Sequence, residues 1–89
     1  SAEAFILKSA YPNPFNPTTT LPLTLNKEAT VKIYLYNQLG QRVQIINDSK
    51  QSIGNYHFTI GHSQLSSGIY FLRISVDETL SVQKIVLVK

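Results

Sequence analysis

An all-β fold, an antiparallel immunoglobulin-like β-sandwich of about seven strands, follows from three features of this 89-residue chain. Apolar and polar residues alternate at period two through most of the sequence. Turn residues interrupt that alternation every ~8–12 residues. No segment carries an apolar stripe at helical spacing over three turns, and no internal repeat is visible. The period is informative because successive strand side chains point to opposite faces, so alternation marks a strand with one buried side.

The elements can be justified in order. Residues 5–8 form a short first strand within a lead-in of residues 1–10. Residues 18–25 alternate as a second strand, in which Pro22 lacks an amide donor and points to a sheet edge or a bulge. In residues 29–37, Val31, Ile33 and Leu35 face one way and Lys32, Tyr34 and Tyr36 the other. Asn37-Gln38-Leu39-Gly40 then turns the chain into a strand at 41–47, with Gly40 at positive φ. Residues 48–54 read as a polar loop. Residues 55–60 set Tyr56, Phe58 and Ile60 against His57 and Thr59. A compact connection at 61–68 leads to a strand at 69–76, where Tyr70, Leu72, Ile74 and Val76 oppose Phe71, Arg73 and Ser75. Ile69 and Phe71 make its start apolar on both sides, which suits a central strand. Asp77-Glu78 turns into a closing strand at 79–88. There Val82, Val86 and Val88 share one parity while Ile85 and Leu87 take the other, and a bulge near Gln83 and Lys84 accounts for the blurred pattern.

The spacing Leu65-x-x-Gly68-x-Tyr70 has the layout of a corner between two sheets. Leu65 plugs the core, Gly68 takes a backbone conformation closed to other residues, and Tyr70 buries its ring and returns its hydroxyl to the backbone upstream, as in a tyrosine corner.

Composition excludes several classes of function. There is no Cys, so disulfides, thiolate zinc sites and cysteine nucleophiles are absent. The longest apolar run, residues 85–88, is far short of the ~20 residues of a membrane-spanning helix. The net charge of +3 comes from eight basic residues scattered singly, whereas a nucleic-acid or anionic-membrane site concentrates them in a stripe. Residues 1–10 lack the basic start and apolar core of a signal peptide, and no initiator Met is present, so the sequence reads as part of something longer. The serines occupy no nucleophile-elbow motif, the four glycines form no phosphate loop, and no calcium-loop spacing occurs. His57 and His62 are the only imidazoles, with Asp48 a conceivable third ligand, which is too little for a metal site. Asn47-Asp48-Ser49 matches a glycosylation acceptor pattern, a short match common by chance. The expectation is a non-enzymatic domain with no cofactor, no metal, no small-molecule substrate and no nucleic-acid partner.

Tyr11-Pro12-Asn13-Pro14-Phe15-Asn16-Pro17 holds three of the four prolines. Proline fixes φ and restricts the residue before it, so this segment reads as a stiff, extended connector. Its rings at Tyr11 and Phe15 are expected to anchor it on the sandwich, with Asn13 and Asn16 bonding their own backbone.

This proline block with the threonines after it, the run Val31-Lys-Ile-Tyr-Leu-Tyr-Asn-Gln-Leu-Gly-Gln-Arg-Val, the run Leu65-Ser-Ser-Gly-Ile-Tyr-Phe-Leu-Arg, and a final strand bearing Lys84 and Lys89 together resemble the type A C-terminal sorting domain of the type IX (Por) secretion system. The resemblance covers residues 11–89, with its blocks in the expected order. It implies a label that closes a larger exported protein, passes through the periplasm, is recognised by an outer-membrane translocon and is delivered to a surface sortase. That sortase cuts ahead of the domain and leaves the cargo at the cell surface. The motif residues implied are Tyr11, Pro12, Asn13, Pro14 and Phe15, then Gly68 and Tyr70, then Lys84 and Lys89 near the end. His62 departs from the acidic residue that the family often carries there.

A physical mechanism suits such a role. A terminal strand at a sheet edge offers unpaired backbone groups to a partner, or to a second copy, while Lys84 and Lys89 keep that edge soluble and steer it to acidic surface. The alternative is that residues 85–88 form an internal core strand. Two rival functions remain: a carbohydrate-binding module using Tyr34 and Tyr36 as a platform, and a passive cell-attachment β-sandwich of a secreted enzyme.

Overall fold

The computed structural model describes residues 4–89. Among these residues there is no helix. Seven strands run in chain order: β1 (Phe5–Leu7), β2 (Thr19–Leu25), β3 (Ala29–Tyr36), β4 (Arg42–Gln51), β5 (Gly54–Ile60), β6 (Gly68–Val76) and β7 (Thr79–Leu87). They form a three-stranded sheet, β1-β2-β5, and a four-stranded sheet, β4-β3-β6-β7. Every strand pair is antiparallel. The molecule is a β-sandwich of immunoglobulin-like character.

Alternation places the core. Leu21, Leu23 and Leu25 of β2 face Val31, Ile33 and Leu35 of β3 and Leu72, Ile74 and Val76 of β6, all buried. Ile85 and Leu87 of β7 and Ile60 of β5 complete this layer. Each such side chain contributes about 1.5–3 kcal/mol on burial, which supplies the driving force for a chain without disulfides. β6 lies between β3 and β7, the central place that its doubly apolar start requires. At the β3–β4 hairpin, Asn37 closes the loop: its amide donates to the Gln41 carbonyl (2.9 Å), and its side-chain oxygen accepts from the amides of Leu39 and Gln41. Gly40 there has φ 81°.

Four expectations are corrected. Residues 48–51 are strand rather than loop, because β4 pairs along all of β3 and absorbs two register shifts. Pro22 lies in β2, the middle strand of its sheet. It is tolerated because pairing with β1 ends at Leu23, and the Pro22 carbonyl takes the Lys8 amide (3.2 Å) just beyond that end. β7 has no bulge, since its register with β6 is unbroken from Gly68↔Leu87 to Val76↔Thr79. The alternation blurs there because inward positions change from Ile85 and Leu87 to Gln83 and Ser81. The proline segment does not run extended: its chain bends at Pro12, Asn13 and Pro14 and again at Asn16 and Pro17, and the bonds preceding its three prolines are cis.

Candidate functional site

The proline leader and the closing strand, far apart in sequence, are joined along one edge. The Phe15 amide donates to the Val86 carbonyl (2.8 Å), and the Val88 amide donates to the Phe15 carbonyl (3.0 Å), making a parallel bridge to Leu87. The Asn13 side chain extends that pairing by one step: its Nδ2 donates to the Lys84 carbonyl (3.0 Å), and its Oδ1 accepts from the Val86 amide (3.0 Å). Asn13 thus mimics a strand residue at a point where proline on either side supplies no amide. Gln83, on the inward parity of β7, donates to the Lys8 carbonyl (3.0 Å) and accepts from the Ala10 amide (2.9 Å).

The same leader is tied to the other sheet. Tyr11 and Thr20 exchange backbone hydrogen bonds of 2.9 and 2.8 Å. Thr19, 1% exposed and the one buried polar residue among those described, donates its hydroxyl to the Pro12 carbonyl (2.7 Å). A buried hydroxyl without a partner costs about 1–3 kcal/mol, so this bond holds the leader in place. The Phe15 ring is 1% exposed and fills the gap between the sheets. Gly61 makes room for it: a Cβ there would lie 2.6 Å from the Pro17 carbonyl oxygen and 2.9 Å from Phe15 Cε2, at φ +101°.

The corner forms as the spacing implies. Leu65 and Tyr70 are buried, and the Tyr70 hydroxyl donates to the Ser66 carbonyl (2.6 Å). Gly68 has φ +154° and sits opposite Leu87. Lys89 folds back on the 61–68 connection, its amide donating to Ser67 Oγ (3.2 Å) and its Nζ to the Ser63 carbonyl (2.9 Å). The structure therefore brings Asn13, Phe15, Gly68, Tyr70, Lys84 and Lys89 around the last third of β7. Tyr11, Pro12, Asn13 and Pro14 form an exposed ridge beside it, with Tyr11 56% exposed.

Three expectations at this site change. The Tyr11 ring is not an anchor, because only its backbone docks. Asn13 bonds β7 rather than its own backbone. The outer edge of β7 from the Lys84 carbonyl to the Val88 amide is occupied by the leader rather than open, although β7 is the terminal strand of its sheet. Residues 85–88 thus combine both readings of that segment, an edge strand whose Ile85 and Leu87 are core. Gly61 and Thr19 carry no signal in the sequence, and Gln83 reads there only as the place of a bulge. A glutamine on the inward parity of an apolar strand was the legible hint for Gln83.

The other constellations are dispersed. His57 lies exposed on β5, and His62 Nδ1 accepts from the Gln64 amide (3.2 Å). Among the described residues no three His, Asp or Glu side chains converge. Asn47 is half-buried in β4 and donates to the Val31 carbonyl (2.8 Å). Tyr34 and Tyr36 share the outer face of the larger sheet, with the Arg42 guanidinium 5.0 Å over the first ring and that of Arg73 5.5 Å over the second. The Tyr34 hydroxyl donates to Asp48 Oδ2 (2.9 Å), and that bond holds its pKa above the ordinary tyrosine value.

A small sandwich with no converging acid–base or ligand cluster among its described residues, and with a stiff leader sealed to its last strand, has the build of a recognition module. The secretion system C-terminal sorting domain family matches residues 9–89, and the chain belongs to it. No curated protein and no solved structure matched the chain. The domain is a C-terminal sorting signal for type IX secretion. The family is a signal rather than a catalyst, and its role implies interaction with the secretion machinery and export to the cell surface or extracellular space.

Proposed function

We propose that the translocon reads the ridge Tyr11-Pro12-Asn13-Pro14 together with the adjoining end of β7, after the folded domain has crossed the periplasm. In this reading Lys84 and Lys89 contribute positive charge, while Phe15, Gly68 and Tyr70 hold the ridge in shape. Residues 1–10 act as lead-in and residues 11–89 as the sorting domain, with a surface sortase acting ahead of it. The observation that carries the reading is the pair of hydrogen bonds from the Asn13 side chain to β7, within a segment whose backbone is bonded at Tyr11 and at Phe15 and whose three rings between are exposed. A shape so constrained loses little entropy when a partner docks on it. Self-association through β7 is confined to its first residues, near Leu80 and Val82, because the leader occupies the rest.

The test places the chain behind a periplasmic reporter in a type IX-competent host. Deleting residues 87–89 is a poor probe, because Leu87 is 1% exposed and the fold would go with it. Tyr11→Ala and Lys84→Gln alter only exposed side chains. Both are expected to melt as the parent does and to lose surface display of the reporter. Full display of both variants would end this reading.

A further inference from the structure

We infer that the outer face of the four-stranded sheet docks an acidic protein segment that carries apolar side chains beside its carboxylates. Lys32, Arg42, Arg73 and Lys84 all project from this face by their register across β3, β4, β6 and β7. At one end of the same rows Lys50 pairs with Glu28 (3.6 Å); against the other four cations they hold one carboxylate, Asp48, and one of its oxygens is taken by the Tyr34 hydroxyl. Among the described residues, neither guanidinium lies within ion-pairing distance of a carboxylate.

The two arginines are ordered without being used up. Each lies over a tyrosine of β3, and a planar guanidinium stacked on a ring keeps its N–H donors in its own plane, free for a bidentate carboxylate. They flank β3 from β4 and β6, so their heads are on the order of 10 Å apart, two strand spacings. That geometry suits two acidic side chains of one segment.

Charge also decides among occupants. A second copy would bring the same four cations, and like charges repel. A uronic-acid polysaccharide would supply carboxylates, but the ring faces on which sugars stack are already covered. It would also leave unmatched the exposed Leu80 and Val82, which lie along the same face on β7. A protein segment that sets acidic and apolar side chains on one side, at every second residue, satisfies both features.

The experiment is an NMR titration of the full chain with three probes: a capped peptide repeating Glu-Ser-Val-Ser, which sets Glu and Val on one side when extended, an all-Glu peptide of equal length, and an oligouronate. The mixed Glu and Val peptide is expected to shift the amides of Tyr34, Tyr36, Arg42, Arg73 and Val82 saturably and to bind more tightly than either other probe. The Arg42→Gln, Arg73→Gln double variant is expected to bind it about tenfold more weakly, as loss of two charge-assisted contacts implies. The inference is overturned by absence of those shifts, by an oligouronate that binds as tightly, by an unchanged double variant, or by the same shifts on concentrating the protein alone. None of these outcomes bears on Tyr11, which lies off this face, so the translocon reading stands or falls separately on Tyr11→Ala.

Discussion

Replacing Phe15 with alanine tests the seal between leader and sandwich. The ring is 1% exposed and meets Gly61 across the end of the core, while its backbone forms both bonds of the parallel bridge to β7. Truncation leaves those backbone bonds in place but removes a whole aromatic side chain, a change that costs about 3–5 kcal/mol at buried sites. A domain of this length has a total stability of about 4–13 kcal/mol at ~0.05–0.15 kcal/mol per residue. One substitution therefore removes about a quarter or more of the margin. At ~4–8 °C per kcal/mol, the melting temperature falls by about 12–40 °C. Urea unfolding followed by circular dichroism measures it, with the midpoint lowered and the slope unchanged. The control is Tyr11→Ala, whose exposed ring predicts a change within ~0.5 kcal/mol. A Phe15→Ala loss below about 1 kcal/mol, or one no larger than that of Tyr11→Ala, would show that the ring is not core.

Three further outcomes follow from the same geometry. Gly61→Ala is expected to cost about 2–5 kcal/mol from strained φ and close contact, and less in a Phe15→Ala background because one of the two blocking atoms is gone; strict additivity in a double-mutant cycle contradicts this. Tyr70→Phe loses the bond to the Ser66 carbonyl and about 0.5–2 kcal/mol, whereas Tyr70→Ala loses ~3–5 kcal/mol; a Tyr70→Ala variant that melts like the parent removes the corner. The Tyr34 pKa is raised by its bond to Asp48, so its contribution to stability is fully present below the unfolded value of about 10 and is lost as pH rises through the folded value. Phenolate absorbance is expected to appear at higher pH than in free tyrosine, and at lower pH again in Asp48→Asn.

The fold was legible because one face of each strand is buried. Val31, Ile33 and Leu35 could sit only inward, and the apolar start of β6 could sit only in the middle of a sheet. The tyrosine corner was legible because its spacing is local, with Ser66 and Tyr70 only four positions apart. The leader was not legible in the same way. Its proline content implied an extended run, but Asn13 and Phe15 find their partners 71 and more residues away, and pairing of that kind leaves no periodic trace. The bulge expected in β7 had the same origin: Gln83 breaks the apolar parity because it bonds the Lys8 carbonyl and the Ala10 amide, two groups invisible from within the strand.

The leader's docking also makes the domain indivisible. Asn13 and Phe15 are among the earliest of the described residues to leave the ribosome, yet every bond they make to β7 requires residues 84–88, among the last. Until those are synthesised, Phe15 has no strand to join and Thr19 has no fixed carbonyl to satisfy. Loop closure over so long a separation makes assembly slow and all-or-none. A chain released before residues 84–88 are made would therefore expose an unsealed apolar gap instead of the finished ridge, so the address becomes readable only once that strand has been translated.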